Sequence, residues 1–306
     1  MTSITCIGGT TKTKSTGKQW QFGPRFFDLT HYFIEIKLSG FAEFIPQCCN
    51  AGLYPTCKLI ARDSSWIMTK RILYIVPLLA AIVALLLWGY DLGYWRFNYP
   101  GHSNYPVRGI DISHHQGTIE WDNIKKQKVH FVYMKASEGG DYRDPEFGRN
   151  WKESASAGLA RGAYHFFSFC KPGGKQARNF LAAVPVDDNA LPPVIDLEFG
   201  GNCKNRPEKE VIVRELLRFM KKIEQAHGIA PIIYATHDSY DEYLTGLISN
   251  KSIWIRDILK RPGLPDGRRW TLWQYANNGR IDGITGRVDL NVFNGSPEDF
   301  RTLLER

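Results

Sequence analysis

The sequence predicts an α/β fold: an irregular TIM-like β/α barrel with eight strands and few helices, preceded by a single transmembrane helix. Three observations carry this expectation. Short apolar runs recur at 107–113, 131–136, 161–169, 192–199, 231–236, 252–257, 270–276 and 288–293. Several are continuously apolar, such as FVYMKA and PPVIDLEF, as parallel strands covered on both faces are. Helical stretches at 145–159, 174–184 and 208–227 separate the early runs, and eight strands alternating with helices point to a closed barrel. The later connections are shorter, so late helices are missing and the barrel is irregular. The third observation is Ile72–Trp88, ILYIVPLLAAIVALLLW, a stretch without a charge. Gly89 and Tyr90 extend it to a length that just crosses a bilayer. No polar face interrupts it, unlike a helix at the surface of a soluble core.

The flanks of the apolar run suggest its direction. Lys70 and Arg71 precede it and Asp91 follows, which places the N-terminal flank in the cytoplasm and the large domain outside. Trp88, Tyr90, Tyr94 and Trp95 are suited to an interfacial anchor. No small-residue cleavage site follows, so retention is preferred over removal as a signal peptide. The expected location is a membrane, single-pass with the large domain outside the cytoplasm, or secretion if the anchor is cleaved. Met68 opens MTKR directly before the run, the pattern of a short N-terminal anchor, and is expected to be the natural start. Residues 1–67 show no persistent period, and the rival reading is a small, poorly ordered cytoplasmic segment. The domain plan is thus 1–67, poorly defined; 68–95, membrane anchor; 96–106, a linker rich in Asn, Tyr, Gly and Pro; and 107–306, the barrel. Its last helix has Ser296 to cap it, Pro297 at its first position and Asp299 at the capping-box position.

Composition excludes some partners. Net charge is +8 over 306 residues, divided as +5 over 1–100 and +3 over 101–306. With no basic stripe and no zinc-finger spacing, nucleic-acid binding is not expected. Neither Cys6, Cys48, Cys49 and Cys57 nor Cys170 and Cys203 have zinc spacing. Cys170 and Cys203 each follow a candidate strand, the third and the fourth, which should be neighbours. In an exported domain they are expected to form a disulfide, against the alternative of two free thiols.

The chemistry-bearing residues are carboxylates at strand ends. Asp111 ends the first strand, Asp196 and Glu198 lie in the fourth, and Asp289 lies in the eighth. Acids within apolar strands are costly unless paired or functional. Asp196 and Glu198, two apart, point to one face, and C-terminal strand ends converge on a barrel's mouth. A lone acid could be buried against an arginine; four from three strands are harder to explain that way. Close like charges raise a carboxylic acid's pKa, and glycoside hydrolysis needs such an acid to protonate the leaving oxygen. Tyr164, His165, Tyr234, Trp254, Trp273, Gln274 and Tyr275 lie near the same ends. Some fill the core; the others suit a sugar groove, where flat rings meet pyranose faces.

Seven stretches then carry a family resemblance: GIDISHHQG at 109–117, FVYMKASEG at 131–139, ARGAYHFF at 160–167, PVIDLEF at 193–199, IIYAT at 232–236, TLWQY at 271–275 and VDLNVF at 288–293. In this order they resemble glycoside hydrolase family 25, the cell-wall muramidases. The resemblance implies an irregular β/α barrel with an acidic groove. It implies cleavage of the β-1,4 bond between N-acetylmuramic acid and N-acetylglucosamine, with net retention by acetamido assistance, and no cofactor or metal. Glu198 is similar to the general acid/base. Asp196 resembles the residue that orients the acetamido group. Asp111 and Asp289 match the other acidic positions, and Tyr164, Tyr234 and Trp273 match groove positions. Lys135, Glu138 and Gln274 lie in family-like stretches with less defined roles. His114 and His115 read as loop or groove residues. Arg256 and Asp257 depart from the family, which has a small residue and often a tyrosine there. The implied partners are peptidoglycan strands and, through the anchor, a lipid bilayer. Alternatives are a hydrolase of another N-acetylhexosamine polymer such as chitin, and a non-catalytic envelope glycan-binding module.

Overall fold

The computed structural model describes residues 64–201, 203–246 and 250–304. The expectations for residues 1–63 lie outside the described residues. Helix α1, Ser64–Asp91, contains the apolar run, with Pro77 inside it. Its segment Lys70–Asp91 has a mean hydropathy of 2.5 and no buried residues, so it is long and apolar enough to cross a membrane.

The strands are β1 (Arg108–Ile112), β2 (Phe131–Glu138), β3 (Tyr142–Arg143), β4 (Ala160–Phe166), β5 (Val194–Leu197), β6 (Ile232–Thr236), β7 (Ile253–Arg256), β8 (Leu272–Gly279) and β9 (Val288–Phe293). The order β1-β9-β8-β7-β6-β5-β4-β2 closes on itself through a β1–β2 pairing. Strand β3, not expected from the sequence, is a short hairpin partner of β2 outside the ring. One expectation is corrected. Strand β9 runs antiparallel to both neighbours, so Asp289 reaches the mouth from the beginning of its strand. The cause is the connection: residues 280–287 turn the chain back as a hairpin and are too few for a parallel crossover.

The helices around the ring are α2 (Trp121–Lys126), α3 (Phe147–Ser156), α4 (Gly173–Ala183), α5 (Lys209–His227), α6 (His237–Ser239), which leads into a π turn at Tyr240–Leu244, and α7 (Pro297–Arg301). The α7 cap is reciprocal: Ser296 Oγ accepts from the Asp299 amide at 3.1 Å, and Asp299 Oδ2 accepts from the Ser296 amide at 2.9 Å. Helix α2 escaped the sequence reading because six residues hold too few turns for a period to emerge.

Alternation along the strands divides the core in two. Residues such as Val132, Met134, Ile195, Ile233 and Ile255 face outward beneath the helices. Their neighbours Phe131, Tyr133, Val194, Ile232, Trp254, Leu272 and Phe293 face inward and fill the barrel. Phe300 of α7 packs on Phe131 and Phe293 at ring separations of 5.4 and 5.3 Å, closing the bottom. Gly162 makes room for this filling: a Cβ there would lie 2.1 Å from the Tyr133 ring.

Residues 96–106 contain no helix or strand, yet they pack on the barrel. Asn98 donates to the carbonyls of Asp257 and Tyr275 at 3.0 and 3.1 Å. Tyr105 is buried against Trp270 and Trp273.

Cys170 and Cys203 are joined by a disulfide with a Cα–Cα distance of 5.7 Å, linking the chain beyond β4 to the chain beyond β5. The bond closes a 33-residue separation, for which lost unfolded-chain entropy gives roughly 2–4 kcal/mol. Cys170→Ser/Cys203→Ser is therefore expected to lower unfolding free energy by that order in urea titrations, and reductant should shift only the wild type. Equal midpoints for both proteins under oxidising conditions would count against a stabilising bond.

Candidate active site

The mouth of the barrel opens into a cleft of about 300 Å³. It lies directly above the apolar filling because the inward file of each strand changes character at the same height. On β5 the inward series runs Val194, Asp196 and continues past the strand end to Glu198; on β7 it runs Trp254, Arg256, and on β8 Leu272, Gln274. Asp111, Lys135, Tyr164, Asp196, Glu198, Tyr234, Gln274 and Asp289 all line the cleft. Trp254, His115, Gln116 and Phe166 join them.

Two residues proposed from the sequence lie elsewhere. Trp273 neighbours Gln274 on β8 and so faces the opposite side; its indole donates to the Asp257 carbonyl at 2.8 Å. Glu138 is not in the cleft wall but ion-pairs with Lys135 at 2.7 Å. His165 likewise faces outward, next to Tyr164. It hydrogen-bonds to Ser137 and Gln176 at 2.8 and 3.1 Å, and burial lowers its pKa to about 3. His114 and His115 occupy a single 3-10 turn capped by Ser113. His114 pairs with Asp144 at 2.9 Å, and only His115 lines the cleft.

A chain of hydrogen bonds crosses the mouth. Tyr234 donates to Gln274 Oε1 at 2.9 Å, and Gln274 Nε2 donates to Asp111 Oδ2 at 3.1 Å. From the other side, Trp254 Nε1 donates to Asn291 Oδ1 at 3.0 Å, and Asn291 Nδ2 donates to the same Asp111 oxygen at 2.7 Å. Both ends of the chain have fixed polarity. An indole nitrogen can only donate. The Tyr234 phenol stays protonated because burial, then Glu198 and Asp196, push its pKa well up. Each amide must therefore turn its NH₂ toward Asp111, which favours the carboxylate form there. The sequence marks Trp254 only as a ring for core or groove and gives Asn291 no role, because the bond between them depends on strands 37 residues apart.

The four carboxyl groups do not ionise independently. Burial raises Asp111, while Asn291, Gln274 and Asp289 pull it down. Burial and the neighbouring Asp111 raise Asp289 to about 9, and Asp289 hydrogen-bonds to Asp111. The two amide donors on Asp111 make Asp289 the better holder of a proton in this pair. Asp196 is raised well above its ordinary value by burial, then by Glu198 and Asp111. Glu198 is raised by burial and Asp111 and lowered by Arg256 and Lys135. Asp196 Oδ1 is buried and has no hydrogen-bond partner among the described residues. Arg256 follows Trp254 on the inward file of β7, whereas Asp257 pairs with His237 at 3.0 Å. The departure at 256–257 thus places a cation, and no new anion, beside the acids.

A barrel mouth lined by acids with raised pKa values, among rings and amides, suits proton transfer to a glycan. Comparison with known proteins decides the assignment. Residues 110–284 match the model of glycosyl hydrolases family 25. The chain belongs to this family. It is 34% identical over 208 residues to the uncharacterised protein YegX of Escherichia coli K12, covering 66% of this chain and 75% of that one. It is 32% identical over 203 residues to lysozyme M1 of Streptomyces globisporus, covering 62% and 68%. A family 25 glycosyl hydrolase from Bacillus anthracis superposes with a TM-score of 0.64 at 40% identity, covering 67% of this chain and 96% of that structure. The family 25 barrel makes the protein a glycoside hydrolase of the muramidase type.

The Asp289 proton has a consequence for stability. Unfolding returns the carboxyl from about 9 to its ordinary 3.8. Between those values the unfolded chain has released a proton that the folded chain retains, so this group makes stability fall as pH rises from about 4 toward 9. Asp289→Asn removes the titration and keeps a donor toward Asp111. Its stability relative to wild type is expected to increase between pH 4 and pH 8 in urea unfolding. A difference independent of pH would mean that Asp289 is ionised in the folded protein.

Proposed function

We propose that this family 25 enzyme hydrolyses peptidoglycan at the β-1,4 bond between N-acetylmuramic acid and N-acetylglucosamine, with net retention through the substrate's own acetamido group. Glu198 begins protonated and donates to the glycosidic oxygen. The acetamido oxygen attacks the anomeric carbon. Asp196 orients that amide and stabilises the positive charge that develops on it. Glu198, now a carboxylate, takes a proton from the water that opens the cyclic intermediate. Two inversions give retention.

The observation that carries this reading is the state of Asp196. It is buried, its Oδ1 has no hydrogen-bond partner among the described residues, and its neighbours raise its pKa. Such an oxygen is unfavourable in the free enzyme and is matched by an N–H donor arriving with the substrate. That donor would favour the Asp196 carboxylate and leave Glu198, the more accessible of the two, as the protonated acid. Asp111 and Asp289 complete the groove, and Lys135 and Arg256 limit its negative charge. The relatives add weight: one is named a lysozyme, and another, from Chalaropsis, N,O-diacetylmuramidase.

We also propose that α1 is a retained membrane anchor with the barrel outside the cytoplasm. Support comes from Lys70 and Arg71 before the span and from the exposed apolar surface of Lys70–Asp91.

Purified peptidoglycan, incubated with the protein and reduced with borohydride, is expected to yield new muramic-acid ends by mass spectrometry. New glucosamine ends, or faster release from chitin, would reject the assigned bond. Glu198→Gln is expected to lower turnover roughly 100-fold or more, the scale of a positioned acid–base group, with binding of wall fragments largely kept. Asp196→Asn should also reduce turnover, since it removes charge where positive character develops. Wild-type rates in a folded Glu198→Gln protein would overturn the assignment of the acid.

A further inference from the structure

The end of α1 is bound to the barrel by a set of contacts that the hydrolytic reaction does not use. They come from one hairpin, β8–β9. Asn278 Nδ2 donates to the Tyr90 carbonyl at 2.6 Å, within the last turn of the helix. Arg280 Nε donates to the Leu92 carbonyl at 2.9 Å, and Arg287 ion-pairs with Asp91 at 2.6 Å. Gly93 lies so close that a Cβ there would meet the Asn278 carbonyl oxygen at 2.4 Å, and its φ of +76° is one that glycine adopts without strain. Beyond it the chain folds back: Trp95 Nε1 donates to the Leu86 carbonyl at 3.1 Å. Tyr90, Trp95 and Phe97 form an aromatic cluster, with ring separations of 5.4 Å for Tyr90–Trp95 and 4.8 Å for Trp95–Phe97.

No free chain separates the helix from its first barrel contact, since the Tyr90 carbonyl is itself in α1. A swinging tether needs such a length. If α1 spans the bilayer, the hairpin lies at the height where the helix emerges, together with Arg280, Arg287 and the aromatic cluster. Arginine with tyrosine and tryptophan is the composition of a protein surface at phospholipid headgroups. The same hairpin reaches the cleft. Gln116, a cleft residue, donates to the Arg287 carbonyl at 3.0 Å, and Asp289 is two residues further on.

We propose that the β8–β9 hairpin and residues 90–97 form a membrane-docking surface that holds the barrel against phospholipid headgroups in one fixed pose. This rests on the reading of α1 as an anchor. Its consequence is a cleft at a set height above the bilayer, which restricts cleavage to the glycan nearest the membrane.

The test uses the full chain, with Cys6, Cys48, Cys49 and Cys57 replaced by serine, in nanodiscs of phosphatidylethanolamine and phosphatidylglycerol containing a nickel-chelating lipid. A spin label at Thr285→Cys reports on the hairpin. A second, at Lys221→Cys on α5, lies across the ring, where α5 links β5 to β6. The docked pose is expected to give severalfold stronger nickel relaxation at Thr285 than at Lys221. Asn278→Ala/Arg280→Ala/Arg287→Ala should bring the two labels together while hydrolysis of soluble wall fragments continues. Equal relaxation in the otherwise native chain, or a difference that survives the triple substitution, overturns the docking surface. Release of the full chain from vesicles by alkaline carbonate overturns it by a different route, through failure of the anchor.

Discussion

The barrel mouth is organised around the acceptance of two hydrogen bonds by one oxygen of Asp111. Gln274 and Asn291 can supply them only because a phenol and an indole occupy their carbonyl ends. These donors favour the carboxylate at Asp111, and a charge there, added to burial, raises the pKa of Asp289. The charge that remains is felt by Asp196 and Glu198. Proton occupancy across the cleft is thus set partly by the amides and cations around the four acids. An isolated buried carboxylate would simply neutralise. Here an ordered series of donors and cations apportions the protons among four acids.

This arrangement needs a rigid floor. Tyr133 and Phe131 fill the lower barrel to the point that glycine is required opposite them at 162 and 109. Trp254 belongs both to that filling and to the hydrogen-bond chain, so apolar packing sets the position of the Asn291 amide. The outer wall is also held. Gly173, at the start of α4, approaches α5 so closely that a Cβ would lie 1.9 Å from the Glu215 carbonyl oxygen. The disulfide ties the preceding chain to the loop that follows Glu198. One side of the cleft is therefore braced twice.

Most of the barrel was legible because its signals are local. Short apolar runs marked all eight ring strands, and the two-residue spacing of Asp196 and Glu198 placed both on one face. What escaped notice was set by long-range geometry. The reversal of β9 depends on how the 280–287 connection folds. Trp273 and Gln274 look equally suited to a groove, and only strand register assigns one inward and the other outward. Asn291 gains its place from Trp254 and Asp111, partners 37 and 180 residues away. The 96–106 segment has the composition of a linker, but its burial depends on grooves that exist only after the barrel has closed.

The reversed last strand also bears on how the chain assembles. Gln274, Asn291 and Asp289 lie on one hairpin, whose pairing is local and fast to form. Its partnership with β1 joins Ile110 to Leu290, across nearly the whole barrel sequence, and loop-closure entropy makes such contacts late. Until that seam zips, Asp111 and Asp289 remain hydrated on separate edges and both can ionise. Desolvation and the uptake of a proton by Asp289 therefore coincide with closure of the ring. A protein whose cleft carboxyl groups interact this strongly encounters their mutual repulsion during folding, before any substrate is present.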